Sequence, residues 1–127
     1  METLNMAIVG GGTGCAAFMD KLATEDLSGL PLNLVGVADI NPEAPGIKRA
    51  NELNIFTTHD YHDLFALDNL TLILELTGDP EITEAIHREK PKHIKFMDHT
   101  IAGLFWDLVY LVIDLSLIHI SEPTRPY

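Results

Sequence analysis

A chain of 127 residues, 46% of them hydrophobic, is long enough for one domain with a real core and too apolar to be disordered. Nineteen acidic residues against 8 basic ones leave a net charge of −11, which argues against a nucleic-acid or anionic-membrane surface, since both need clustered Lys and Arg. A phosphate ligand held by backbone N–H groups stays open. The single cysteine excludes an internal disulfide and fits a cytoplasmic protein, and no signal peptide is visible: Glu2 stands where a basic start would be.

The first strand is expected at about residues 5–9 and ends on the apolar run Met6-Ala7-Ile8-Val9. Gly10-Gly11-Gly12-Thr13-Gly14 follows and opens a helix over about 13–23. A polar loop containing Gly29 and Pro31 spans 24–31. The second strand, 32–38, is almost wholly apolar and ends on Asp39. Asn41-Pro42-Glu43-Ala44-Pro45-Gly46 turns into a helix over about 46–53, with Pro45 as its start signal. A short third strand, 55–58, leads to Asp60, which suits the cap of a brief helix over 61–67. The fourth strand, 70–76, is apolar apart from Thr71 and Glu75. Thr77-Gly78-Asp79-Pro80 turns into a helix over 81–90, where Asp79 or Thr77 suits the N-cap. The fifth strand is 94–97; Asp98-His99-Thr100 leaves it, and a last helix starts near Ile101.

Strands alternating with helices predict an α/β fold, a doubly wound parallel sheet of Rossmann type, with right-handed crossovers, helices on both faces and strand order 3-2-1-4-5. Ligands of such sheets bind beyond the carboxyl ends of the strands. The glycine run, Asp39, Thr77-Gly78 and Asp98-His99-Thr100 all fall at carboxyl ends, so they are expected to line one crevice.

Strand, glycine turn, helix, strand and acidic residue form the layout that binds an adenine dinucleotide. The first glycine permits the tight turn, and the second lets a pyrophosphate approach the backbone at the helix N-terminus. The Asp39 carboxylate can accept hydrogen bonds from a ribose 2′-OH. Two frames are available. Gly10-x-Gly12-x-x-Cys15 begins where the strand ends and is preferred; Gly12-x-Gly14-x-x-Ala17 begins two residues late. No arginine follows Asp39 in Asp39-Ile40-Asn41, so NAD is favoured over NADP, although Lys48 and Arg49 in the next helix can reach round. The expected cofactor-binding set is Gly10, Gly12, Thr13, Gly14, Cys15, Asp39, Ile40, Thr77, Gly78 and His99.

No catalytic residue is assigned from the sequence. His99 beside Asp98 suits a proton-transfer pair, but equally a simple cap of the following helix, which is the commoner case. Cys15 near a helix N-terminus suits either a lowered thiol pKa or, as the motif favours, plain packing of helix on sheet. The remaining histidines are scattered, and no metal site is expected.

Glu75-Leu76-Thr77-Gly78-Asp79-Pro80 resembles the segment after the fourth strand in homoserine dehydrogenases and in the glucose–fructose oxidoreductase family. That resemblance implies that the turn passes close to the nicotinamide half of the cofactor. Glu89-Lys90-Pro91 resembles the latter family's Glu-Lys-Pro triplet, but it precedes the fifth strand instead of following it. Lys90 is therefore given a helix-terminus role and no chemistry.

Residues 6–108 as a whole resemble a Rossmann-type domain at the N-terminus of bacterial sensor histidine kinases. The resemblance rests on Ile8 to Cys15, Val37 to Gly46, Glu75 to Glu81, Asp98-His99-Thr100 and Leu104-Phe105-Trp106-Asp107-Leu108. It implies a nucleotide-sensing input module whose last helix passes a signal to a missing kinase part. That helix suits an ordinary core or homodimer interface equally well. The alternative is the cofactor half of an NAD-dependent dehydrogenase related to homoserine or aspartate dehydrogenases, its substrate domain lying downstream. An S-adenosylmethionine-dependent methyltransferase ranks third, because Ile8 and Val9 stand where such enzymes carry an acidic residue.

Residues 115–127 resemble read-through of a sequencing adapter, so residues 1–114 are expected to be the genuine domain of a longer protein. The apolar run 104–120 is not expected to span a membrane, since Asp107 and Asp114 interrupt it.

Overall fold

The computed structural model describes residues 3–24, 32–104 and 107–108. Residues 25–31 of the expected loop, Phe105 and Trp106 of the last helix, and the adapter-like segment 115–127 lie outside the described residues.

The chain runs β1 (Leu4–Val9), α1 (Thr13–Thr24), β2 (Leu32–Ala38), α2 (Pro45–Glu52), β3 (Phe56–Thr58), a 3-10 helix (Tyr61–Ala66), β4 (Leu72–Glu75), α3 (Pro80–Glu89) and β5 (Lys95–Met97). A last helical stretch begins at 99, two residues before the expected Ile101. All strand pairs are parallel, in the order β3-β2-β1-β4-β5. The fold is thus the doubly wound, Rossmann-like arrangement that the alternation of strands and helices predicts.

Both faces of the sheet are covered, which explains the nearly unbroken apolar strands. Alternate residues of β1 point to opposite sides. Met6 and Ile8 pack with Phe18 and Met19 of α1 and with Ile47 and Ala50 of α2, whereas Ala7 and Val9 pack with Leu64 of the 3-10 helix and Ile86 of α3. In β4, Leu72 and Leu74 join the first cluster and Ile73 the second. Ala102 places the last helix on the α1–α2 face.

Caps end the elements where the sequence suggests. Asp60 accepts from the His62 N–H at 3.0 Å and opens the 3-10 helix. Asp79, rather than Thr77, accepts from the Glu81 N–H at 2.9 Å and opens α3, with Pro80 in its first turn. Between Met6 and Ala7 the β1–β2 register slips by one, passing over Val35. The slip lets β1 and β2 end together, with Val9 opposite Ala38. Gly10 and Asp39 therefore leave the sheet side by side.

Candidate functional site

The turn after β1 needs a glycine at its first position. Gly10 has φ +110°, a conformation that L side chains rarely adopt, and its N–H donates to the Ala38 carbonyl at 2.8 Å. A Cβ there would lie 2.9 Å from the Thr77 nitrogen, so the end of β4 closes over the turn. Around Gly12 and Gly14 nothing lies within 4 Å of such a Cβ. Both glycines open onto free space at the start of α1, whose first N–H groups have no partner within the helix. Thr13, exposed, opens that helix.

The third motif position decides the frame. Cys15 is fully buried, and its Sγ would be 2.8 Å from a Cβ on Gly46, at the start of α2. Ala17, the corresponding position in the later frame, is exposed. The frame Gly10-x-Gly12-x-x-Cys15 therefore fits the requirement for close packing at that position. Burial first, and the Asp39 charge second, push the Cys15 thiol up to about 12. Its side chain packs beneath the loop instead of facing the crevice, and the helix N-terminus does not activate it.

Asp39 ties the crevice together. Its Oδ2 accepts from the Gly11 N–H at 2.7 Å and its Oδ1 from the Asn41 N–H at 2.8 Å. Each oxygen keeps acceptor capacity for a ligand hydroxyl. Ile40, next to it, is 87% exposed at the crevice lip. Lys48 and Arg49 do not reach round. Lys48 pairs with Glu43 at 3.1 Å, and Arg49 with Asp20 at 2.8 Å and Glu52 at 3.8 Å.

Above these residues lies an open crevice of about 440 Å³. Val9, Gly10 and Gly12 form its floor, Ala38, Asp39 and Ile40 one wall, and Leu76, Thr77, Asp79 and Ile82 the other, with His59 and Tyr61 at the end. Among the described residues no lysine or arginine lines it. The volume is in the range of ordinary small-molecule sites. Apolar walls for a flat ring, a carboxylate for vicinal hydroxyls and an uncluttered helix start for a pyrophosphate fit an adenine dinucleotide. The sequence motifs did not point to His59, Tyr61 or Ile82, which the 3-10 helix and α3 bring in from outside the glycine unit.

Of the residues expected beyond β4 and β5, Thr77 lines the crevice, whereas Gly78, Asp98, His99 and Thr100 do not; Glu75, the last residue of β4, organises the turn behind Thr77. It is fully buried yet anionic. Its Oε2 accepts from the Thr77 hydroxyl at 2.6 Å and the Gly78 N–H at 2.8 Å; its Oε1 accepts from the Thr83 hydroxyl at 2.8 Å and the His99 N–H at 3.0 Å, and lies 2.8 Å from His99 Nδ1. Burial alone would raise the carboxyl pKa, but the hydrogen bonds from Thr77, His99, Thr83 and Gly78 outweigh it and hold the group at about 2. The hydrogen bond to Glu75 raises the His99 pKa, against partial desolvation.

The partner of His99 is therefore Glu75 and not its neighbour Asp98. Asp98 caps the last helix instead, accepting from the Ile101 N–H at 3.0 Å. Thr77 and Gly78 sit where expected, at the carboxyl end of β4, and Gly78 takes a left-handed φ of +71°. Glu75 was missed as a site residue, although a lone acid in an apolar strand was the available signal. Lys90 ends α3, its N–H donating to the Ile86 carbonyl at 2.9 Å, consistent with a purely terminal role.

A separate polar cluster lies at the surface. His62 Nδ1 is 2.6 Å from Asp60 and its Nε2 is 3.0 Å from Glu89, which also accepts from the Tyr61 hydroxyl at 2.7 Å. It fastens the 3-10 helix to α3 and so backs the end of the crevice that Tyr61 lines. Among the described residues no group of three or more His, Cys, Asp or Glu side chains is arranged to hold a metal ion, and no helix is long and apolar enough to cross a membrane.

No protein-family model matches the chain, and no curated protein matches it at significant similarity. Solved structures do share its fold. GenD2 from gentamicin A biosynthesis, determined in complex with NAD, is 21% identical over 77% of this chain, with a TM-score of 0.51. Homoserine dehydrogenase from S. aureus is 17% identical over 87% of this chain, with a TM-score of 0.50. RSP, a Rex-family repressor, is 14% identical over 93% of this chain, with a TM-score of 0.52. The chain spans 27% of the GenD2 chain, 30% of the homoserine dehydrogenase chain and 63% of the repressor. At these identities the likeness is one of fold, the Rossmann-like α/β arrangement.

Proposed function

We propose that this chain is the dinucleotide-binding part of an NAD-dependent oxidoreductase. The observation that carries the reading is the joining of Asp39 to the glycine turn at the edge of an open crevice. Glycines 10 and 12, with the start of α1, receive the pyrophosphate, and Asp39 receives the adenosine ribose. NAD is preferred over NADP because a 2′-phosphate would meet a carboxylate with Lys48 and Arg49 already engaged elsewhere. The bound nicotinamide ring supplies hydride chemistry; this chain's own residues bind and orient it and exclude water.

The dehydrogenase reading has more behind it than the sensor-kinase input module. The solved structures that share its fold include GenD2, seen with NAD, and a homoserine dehydrogenase. The kinase reading has only the sequence resemblance. In the dehydrogenase reading the substrate site and the catalytic acid or base belong to a further part of the protein, in keeping with the small share of those enzymes that this chain covers.

The test is a thermal-shift titration with NAD, NADP and S-adenosylmethionine, run beside Asp39→Ala. A ligand at about 100 times its dissociation constant adds roughly 2.7 kcal/mol to stability. A shift with NAD that weakens in the variant is the expected result. A shift with S-adenosylmethionine alone overturns the reading, as does a folded sample that responds to none of the three.

A further inference from the structure

The two sides of the sheet's carboxyl edge differ in charge chemistry. Asp39, Ile40 and His59 lie on the β2–β3 side, and Gly10 and Gly12 follow β1 at the centre. A dinucleotide whose ribose meets Asp39 and whose pyrophosphate meets the glycines must extend its second nucleotide past β1, toward the ends of β4 and β5. There stand Glu75, which ends β4, and His99, two residues beyond β5.

Their geometry is one-sided. Nδ1 of His99 faces the carboxylate at 2.8 Å. The His99 side chain is 37% exposed, whereas Glu75 is sealed. The charged groups acting on His99 are Glu75, from β4, and Asp98, its chain neighbour; α3 reaches the same carboxylate only through the uncharged Thr83 hydroxyl. Directly behind Leu76 and Thr77, which line the crevice, a buried carboxylate with one titratable cationic partner makes the charge of the pair follow that partner.

We propose that His99 is a specificity-determining residue for the oxidation state of the dinucleotide: its imidazolium cancels the Glu75 charge that otherwise draws the cationic, oxidised nicotinamide to this side of the sheet's carboxyl edge. The proposal rests on the dinucleotide reading above. With His99 neutral, Glu75 carries an uncompensated negative charge, and the oxidised ring is held better than the uncharged reduced ring. With His99 protonated the pair sums to zero and that advantage is lost. Glu75 itself stays ionised throughout, since its hydrogen bonds hold it at about 2. By reciprocity, binding of the oxidised form releases a proton from His99 and binding of the reduced form does not.

The test is calorimetric titration of the chain with NAD, NADH and ADP-ribose at about pH 6 and about pH 9, for the native sequence, His99→Gln and His99→Lys. In the native chain the ratio of the NAD to the NADH dissociation constant should rise roughly three- to tenfold from the higher to the lower pH. His99→Gln should keep the high-pH ratio at both values, and His99→Lys the low-pH ratio at both. ADP-ribose, which lacks the ring, should bind without following this pattern. A ratio that does not move with pH in the native chain, or that moves equally in His99→Gln, overturns the proposal while ADP-ribose binding leaves the dinucleotide reading intact. Failure of all three ligands to bind overturns both.

Discussion

Asp39 and Gly11 are joined by a 2.7 Å hydrogen bond from the glycine N–H to Oδ2, so the carboxylate that ends β2 also holds the turn that follows β1. The second oxygen does the same for the Asn41 N–H. One side chain therefore shapes the turn and remains available to a ligand. Asp39→Ala should lower stability by about 1–2 kcal/mol, through two unpartnered N–H groups, and weaken NAD by at least about tenfold. Asp39→Asn keeps an acceptor oxygen and the size, so it should cost less stability while still losing affinity. Urea unfolding and calorimetric titration of both variants check this, and a full-affinity Asp39→Ala would remove Asp39 from the site.

Gly46 is the hidden partner of the glycine turn. Its N–H donates to the Gly11 carbonyl, and a Cβ there would sit 2.6 Å from that oxygen and 2.8 Å from Cys15 Sγ. Neither neighbour can give way easily, since one is backbone and the other is buried. Gly46→Ala should therefore cost about 1–3 kcal/mol and displace the turn, weakening NAD beyond what the stability loss explains. Gly14→Ala, with nothing within 4 Å, is the control and should leave stability nearly unchanged. Equal urea midpoints for native and Gly46→Ala would contradict the close packing.

The fold was legible because the apolar periods are strong and each strand ends on a turn signal. Val9 before Gly10 and Ala38 before Asp39 place two strand ends without ambiguity. The glycine half of the site was legible for the same reason, since all its parts lie within one β-α-β unit. His59, Tyr61 and Ile82 were not, because they reach the crevice only after the 3-10 helix and α3 fold back on the sheet. Of the two readings of Asp98 beside His99, the favoured helix cap holds and the pair does not. Asp98 is its chain neighbour, but an N–H at the start of the next helix competes for that carboxylate, and the ring turns to Glu75, 24 residues away.

The Cys15 thiol should be inert in the folded chain. A pKa pushed up to about 12 from 9.0 lowers its thiolate fraction on the order of a thousandfold, and full burial blocks approach as well. Alkylation by iodoacetamide near neutral pH should therefore follow the rate of unfolding, and should quicken in urea in step with the loss of helical signal. Rapid labelling of the native chain would show that the helix N-terminus activates the thiol after all.

Glu75 and His99 should together shape the pH dependence of stability. The folded Glu75 carboxyl, at about 2, lies below its ordinary value of 4.5, so its contribution is complete above that value and is lost as pH falls toward 2. His99 is raised above its ordinary 6.5, so its contribution is complete below that value and is lost as pH rises through the folded pKa. The pair therefore stabilises most between about pH 4.5 and 6.5. Glu75→Gln leaves five donor groups facing an amide, one of whose ends is itself a donor, and should cost about 2–4 kcal/mol in that window. The urea midpoints of native chain and variant, measured from acid to alkaline pH, should lie furthest apart there and converge toward the acid end. A constant gap across the range would mean that Glu75 acts by shape alone, with its charge irrelevant to the fold.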